Sequence, residues 1–511
     1  MGRKNKVIIV GAGIGGLATA VELASRGVEV ELLERAAAPG GKMREVTIGD
    51  AHIDAGPTVF TMRWVFDELF GNAGTSLDAE LGLQQADLIA RHAWNDRDRL
   101  DLFADVKQSA DAVAHFSGAE EGKRFLNFCS DARKIYQTLK GPFIASSRTN
   151  PLGLTGRIGR ASLSGMLHVK PYSTLWHALS GHFRDPRLRQ LYGRYATYAG
   201  SSPFLAPATL MLIAHVEQEG VWLIEGGMHQ LAVAMARLAQ RKGATIRYGA
   251  DVAEVLMRNG RARAVRLAGN DNQRIEADAV VLNTDVSALG AGLLGASVAR
   301  AAPPTLPEHR SLSAITWNLV AKTSGFPLTR HSVFFSSDYP AEFDDIFKQG
   351  RAPLEPTVYI CAQDRGASLS NLDPRPEHPA IGERLLLLIN APANGDTHEA
   401  DAARIERWRV RTFSVLERRG LKIEHRPDAT QATTPAGFEK LFPATGGALY
   451  GRASHGWQAS FSRPGSRTKV PGLYLAGGST HPGAGVPMAA LSGRQAAASV
   501  LADLARTASK R

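Results

Sequence analysis

The sequence predicts an α/β protein built on a parallel, nucleotide-binding sheet, and three observations carry that prediction. A glycine-rich turn joins an apolar run to a helix near the start of the chain, at Gly11–Gly16. An acid, Glu34, closes the next strand-like run. A second glycine-rich segment, Gly477–Gly485, leads into the last helix.

Val7-Ile8-Ile9-Val10 is a short apolar run of the kind that forms a fully buried parallel strand. It enters Gly11-Ala12-Gly13-Ile14-Gly15-Gly16 directly. In such a turn Gly11 permits the tight bend, Gly13 admits a pyrophosphate close to the backbone, and Gly16 lets the helix pack on the strand. The helix start offers free N–H groups and a positive dipole end to the anion. Ala20, Leu23 and Gly27 continue the helix, and Val28–Leu33 is the second strand. Glu34, 18 residues after Gly16, is placed to accept both ribose hydroxyls of an adenosine. Gly290–Gly295 repeats the glycine spacing, but no strand directly precedes it and Pro303, Pro304 and Pro307 follow, so it reads as a loop.

Pro39-Gly40-Gly41-Lys42 adds a glycine pair that a nicotinamide dehydrogenase does not need and that an extended Rossmann fold holding FAD commonly carries. Lys42 then reads either as a cation near the pyrophosphate or as a surface lysine after a turn. Asp54–Val59 reads as a tight turn beside the flavin. Leu231, Met235 and Leu238 share one helix face, and Thr245–Tyr248 and Ala279–Asn283 are strand-like. Asn259-Gly260 marks a hairpin. Gly472–Ala476 is a last strand, and a helix runs from Met488 toward Leu504, with Pro487 suited to its start.

Composition narrows the class. The 511 residues suggest two to four domains, and 44% hydrophobic with 21% charged residues is neither a disordered chain nor an integral membrane bundle. Cys129 and Cys361 are too few for a disulfide scaffold or a cysteine metal cluster, and favour a reducing compartment. No HExxH, CxxC or GxSxG pattern points to metal or acyl-transfer chemistry. No run of 18 apolar residues spans a bilayer. The basic start followed by an apolar run mimics a signal peptide, but its glycines fit the nucleotide turn better, and Lys6 does not fit a myristoylation signal. The net charge of +11 fits an arginine-rich solvated surface or an anionic membrane surface better than nucleic acid, because no basic run is interleaved with stacking aromatics.

The glycine turn, Glu34, Gly40-Gly41 and the C-terminal GLYLAGGSTHPGAGVP together resemble the carotenoid/phytoene desaturase family of FAD-dependent flavoproteins, over nearly the whole chain. Gly40–Arg44, Asp54–Phe70, His92-Ala93-Trp94 and Leu100–Phe103 resemble its 1-hydroxycarotenoid 3,4-desaturase branch. Asn95–Arg99 departs from it, where relatives tend to carry a Pro/Gly turn. The resemblance implies a Rossmann-type (GR2) FAD-binding domain with an inserted mixed-sheet substrate domain and a helical, membrane-facing lid. The expected divisions are 1–70, 222–295 and 460–511 for FAD, 71–110 and 296–459 for substrate, and 111–221 for the lid. The implied FAD-binding set is Gly11, Ala12, Gly13, Gly15, Gly16, Glu34, Gly41, Lys42, Thr58, Val59, Val252, Asn283, Gly477, Gly478, Gly485 and Met488, with no metal.

The implied reaction removes two hydrogens from adjacent sp³ carbons of a C40 carotenoid, at C-3,4 of a 1-hydroxy- or 1-methoxycarotenoid. A phytoene-type desaturase, a redox-neutral carotenoid isomerase, an amine oxidase and a non-catalytic prenyl-binding protein are the alternatives. The intact Gly11–Gly16 turn and Glu34 argue against the last. No acid–base pair marks itself; His481 is a candidate polar group near the flavin and equally a loop-structuring histidine. The expected electron acceptor is oxygen or a quinone. The expected location is peripheral, on the cytoplasmic face of a bacterial inner membrane, docking through Arg157, Arg160, His168, Lys170, Trp176 and Phe183.

Overall fold

The computed structural model describes residues 5–147, 153–154, 156, 172–269, 273–366 and 382–509. Its centre is a five-stranded parallel sheet in the order Leu473–Leu475, Ala279–Leu282, Lys6–Val10, Glu29–Leu33, Thr245–Arg247. Parallel strands need cover on both faces, and alternation along Lys6–Val10 supplies it. Val7 and Ile9 pack with Leu17, Val21, Leu231 and Met235 from the helices Ile14–Ala24 and His229–Arg241. Ile8 and Val10 point the other way, onto Val255 and Val265 of the antiparallel strands Val252–Arg258 and Arg261–Leu267. The hairpin expected at Asn259-Gly260 joins those two strands, with φ of 51° and 72° at its two central residues. The Gly290–Gly295 repeat is a turn closing the short helix Val286–Gly290, packed on Pro303 and Pro304.

The last helix, Val486–Ala508, lies against the first. A Cβ at Gly493 would sit 2.1 Å from the Gly15 carbonyl oxygen, so only glycine allows this approach. Thr19 Oγ1 bonds the carbonyls of both Gly15 (2.8 Å) and Gly493 (3.0 Å), which pins the two helix starts together.

A second, seven-stranded sheet runs Thr430–Thr433, Ser313–Ala321, Glu383–Ala391, Val358–Ala362, His331–Phe334, Leu88–Ala93, Arg99–Phe103. Its pairings are antiparallel except that between His331–Phe334 and Leu88–Ala93. Side-chain alternation divides Glu383–Ala391: Leu385, Leu387 and Ile389 join Trp317, Val415 and Leu416 in one core, leaving Leu386, Leu388 and Asn390 on the opposite face. The departure at Asn95–Arg99 is a turn built by Asn95, whose Oδ1 accepts the N–H groups of Arg97 and Asp98 at 2.8 and 2.6 Å.

Helices Val106–Ser117, Ala119–Leu139, Leu175–His182, Pro186–Gly193 and Leu212–Gln218 pack around Phe125, Phe128, Phe183 and Tyr192. Phe183 stacks on Tyr192 at 5.2 Å and is 1% exposed, which corrects its expected place on a docking face. A ring in such an aromatic core gains more from packing than it would at a surface. Trp176 is half-buried against Phe204, 4.8 Å away. Arg157, Arg160, His168 and Lys170 lie outside the described residues. Among the described residues no helix is long and apolar enough to cross a membrane.

Candidate active site

One cavity of about 950 Å³ runs from the glycine-rich turn to the second sheet. At the nucleotide end the first strand stops at Gly11, whose φ of 99° turns the chain and whose N–H bonds Leu33 O at 2.8 Å. Side chains are shut out there. An added Cβ at Gly15 would lie 2.6 Å from Asn283 Oδ1 and 2.7 Å from the Gly477 nitrogen, and one at Gly13 would lie 2.7 Å from Asn283 Nδ2. Asn283 therefore ties the first turn to the C-terminal glycines, and its Nδ2 donates to Gly11 O at 3.2 Å.

Glu34 is 8% exposed and lines this end. Its Oε2 accepts Ala12 N–H at 2.6 Å and its Oε1 accepts Ala36 N–H at 2.8 Å. A carboxylate has about four lone-pair sites, so it keeps capacity for two hydroxyls. Lys42 Nζ donates to Leu449 O at 2.8 Å and stands 3.7 Å from Asp285 Oδ2. Burial pulls the Lys42 ammonium below its usual range, and Asp285 pulls the other way. Arg463 spans the C-terminal loop, bonding Gly478 O, Tyr450 O and Arg452 O at 2.8–2.9 Å. Burial lowers its pKa to about 10.

Gly13, Gly15, Glu34, Gly41, Lys42, Thr58, Val59, Val252, Asn283, Gly477, Gly478, Gly485 and Met488 all line the cavity. Three expected residues do not. Ala12 is fully buried and gives its N–H to Glu34. Gly16 packs on the turn itself, since a Cβ there would lie 2.1 Å from Gly11 O. His481, 1% exposed, turns from the cavity and donates Nε2–H to Phe143 O (3.0 Å) and Ser146 O (3.1 Å), joining the C-terminal loop to the helical region. Arg194, Glu217, Asp285, Tyr359 and Arg463 line the cavity and were missed. Only Asp285 carried a local signal, as the helix cap three residues beyond a buried strand. The rest lie on elements that nothing in the sequence spacing brings together.

The residues present fit FAD. Gly478 has an ordinary φ, and no protein atom comes within 3.7 Å of an added Cβ, so protein packing does not require glycine there. A cofactor lying against the backbone would require it. Together with the acid at the second strand and the helix starts at Ile14 and Val486, this defines the class as an FAD-binding oxidoreductase.

Comparison with known proteins agrees. The chain matches the family model for flavin containing amine oxidoreductases over residues 14–323 and 363–501. It is 52% identical to the hydroxyneurosporene desaturase of Rubrivivax gelatinosus, covering 100% of this chain and 95% of that protein. It is 46% identical to that of Cereibacter sphaeroides, covering 98% of each. Among solved structures, an oxidoreductase from Methanosarcina mazei shares the fold (TM-score 0.58, 15% identity, 97% and 99% covered), as does a putrescine oxidase variant (TM-score 0.57, 14% identity, 98% and 99% covered). The chain belongs to the flavin-containing amine oxidoreductase family, in its carotenoid desaturase group.

Proposed function

We infer that this protein is an FAD-dependent carotenoid desaturase that introduces the C-3,4 double bond of a 1-hydroxy- or 1-methoxycarotenoid. The observation that carries the reading is one cavity that is both nucleotide site and apolar chamber, with Glu34 and Lys42 at one end and Leu212, Ile213, Leu386 and Leu388 at the other. FAD supplies hydride acceptance when bound. The chain's own residues do the rest. Glu34 and the glycine turn anchor the adenosine diphosphate half. Lys42 and the two helix starts offset phosphate charge. The leucine wall orients hydrocarbon and excludes water.

The substrate fixes where the protein works. Transfer through water at ~0.8 kcal/mol per buried CH₂ costs on the order of 20–30 kcal/mol for forty carbons, so a C40 substrate is drawn from the bilayer. The exposed Tyr172 (80%), Leu205 (48%) and Trp457 (36%) are suited to docking, with Tyr172 and Trp457 both on the cavity wall and 5.5 Å apart. This aromatic pair joins the expected docking residues other than Phe183, on the cytoplasmic face of a bacterial inner membrane, and the electrons pass to oxygen or a quinone.

The test incubates the purified yellow protein with phytoene, neurosporene and 1-hydroxyneurosporene. A red-shifted product with one more double bond from the hydroxylated substrate is expected. A rearranged product with no new double bond makes the protein an isomerase, and turnover of phytoene alone makes it a phytoene-type desaturase.

A further inference from the structure

The chamber wall is not uniformly apolar. Among the leucines and valines open Arg194, Tyr198, Glu217, Thr58 and Tyr359. Arg194 begins the turn Arg194–Ala199 that follows helix Pro186–Gly193. It is enclosed by protein yet keeps accessible surface on the cavity it lines. Its guanidinium stands 5.5 Å from the Tyr198 ring centroid and 5.4 Å from that of Tyr359, and donates one long hydrogen bond, 3.4 Å, to Tyr198 Oη. Among the described residues no carboxylate comes within ion-pair distance of it. A guanidinium carries five N–H donors, and an enclosed cation with donors to spare favours an acceptor brought in from the chamber.

Glu217, 6% exposed, accepts from Tyr195 Oη at 2.5 Å and from Tyr198, and of its about four lone-pair sites keeps two for the chamber. Tyr359 Oη bonds Thr58 Oγ1 at 2.6 Å and His331 Nδ1 at 2.7 Å. Thr58 belongs to the implied flavin-binding set and shares the cavity wall with Arg194, Glu217 and Tyr359, so the reading puts this polar group beside the flavin. A plain polyene offers this group nothing. A tertiary hydroxyl offers both an acceptor and a donor. Because C-1 is two carbon–carbon bonds from C-3, that oxygen must lie beside the reacting bond.

We propose that Arg194, held between Tyr198 and Tyr359, recognises the oxygen at C-1 of the substrate by donating a hydrogen bond to it, while Glu217 accepts a hydrogen bond from that oxygen when it is a hydroxyl. The assignment rests on the desaturase reading and deepens it, making Arg194 the residue that sets specificity. A site built to bond a hydroxyl rejects the analogue lacking it, because its own polar groups are then left unpaired.

The experiment measures kcat/KM of the flavin-loaded enzyme for 1-hydroxyneurosporene and neurosporene side by side, with bound flavin and melting temperature recorded for each variant. Wild type favours the hydroxylated substrate. Arg194→Met cuts that preference by about 10- to 100-fold, the scale of a hydrogen bond from a charged group, and Arg194→Lys falls between. If Arg194→Met does not fold, Arg194→Lys alone decides. A wild type that desaturates 1-hydroxyneurosporene with no preference over neurosporene overturns the assignment and leaves the desaturase reading standing. So does a variant that keeps the wild-type ratio, including one that loses both substrates in equal proportion. Turnover of neither carotenoid by the flavin-loaded wild type overturns the desaturase reading, and this inference with it.

Discussion

Gly478 separates two reasons for a glycine. At Gly16 or Gly493 a side chain would strike backbone within about 2.1 Å, and the fold itself forbids it. At Gly478 an added Cβ meets nothing nearer than Ala484 Cα at 3.7 Å, at a φ that any residue adopts. Gly478→Val is therefore expected to fold with a melting temperature within a few degrees of wild type and to purify without flavin colour. A yellow, active Gly478→Val protein would place the cofactor elsewhere. The sequence singled out Gly478 from its motif but could not distinguish it from neighbours such as Gly477, whose φ of 109° demands glycine regardless of any ligand.

At the scale of the element, strand Leu88–Ala93 carries a buried titratable group, His92, stacked on Phe335 and donating Nδ1–H to Leu100 O. Burial, helped by the Arg194 cation, pushes its pKa down to about 3 from 6.5. Between those values the unfolded chain binds a proton that the folded one refuses. Its contribution to stability is therefore whole above pH 6.5 and is lost as pH falls toward 3, at about 1.4 kcal/mol per pH unit. Glu342, pushed up to about 7 by burial, acts in the opposite direction over part of that window. The clean quantity is thus a difference: between pH 5.5 and 4, the unfolding free energy of His92→Phe from urea titrations should fall less steeply than that of wild type by about that slope. Parallel slopes would mean that the imidazole is charged in the folded protein. The turn of this strand pair was legible only through the resemblance, which sets Asn95–Arg99 where relatives tend to carry a Pro/Gly turn. That its histidine is buried was not, since nothing in the alternation shows which face a second layer covers.

For the whole molecule, the +11 charge and the exposed Tyr172, Leu205 and Trp457 set an expectation for lipid. The protein should sediment with anionic vesicles at low salt, and binding should fall as salt screens the charge. Replacing Trp457 with Glu should reduce the bound fraction. Protein that stays in the supernatant on anionic vesicles at low salt removes the membrane from the proposal.

Sequence alone determined the nucleotide end. Each of its functions rests on a few contiguous residues, and a glycine turn, a strand of four apolar residues and an acid at its end have the same meaning wherever the chain carries them. The parallel sheet followed, because Val7–Val10, Ala279–Leu282 and Leu473–Leu475 are apolar runs that a doubly covered sheet buries. Tertiary structure alone decided the chamber wall. Thr58 and Tyr359 are 301 positions apart and share a hydrogen bond. Arg194 joins them only because a helix end packs over one face of the second sheet. Side-chain alternation turns Leu386 and Leu388 toward that chamber and Leu385 and Leu387 away from it. Which face met a cavity depended on what lay across from it, and that is a property of packing that no local pattern encodes.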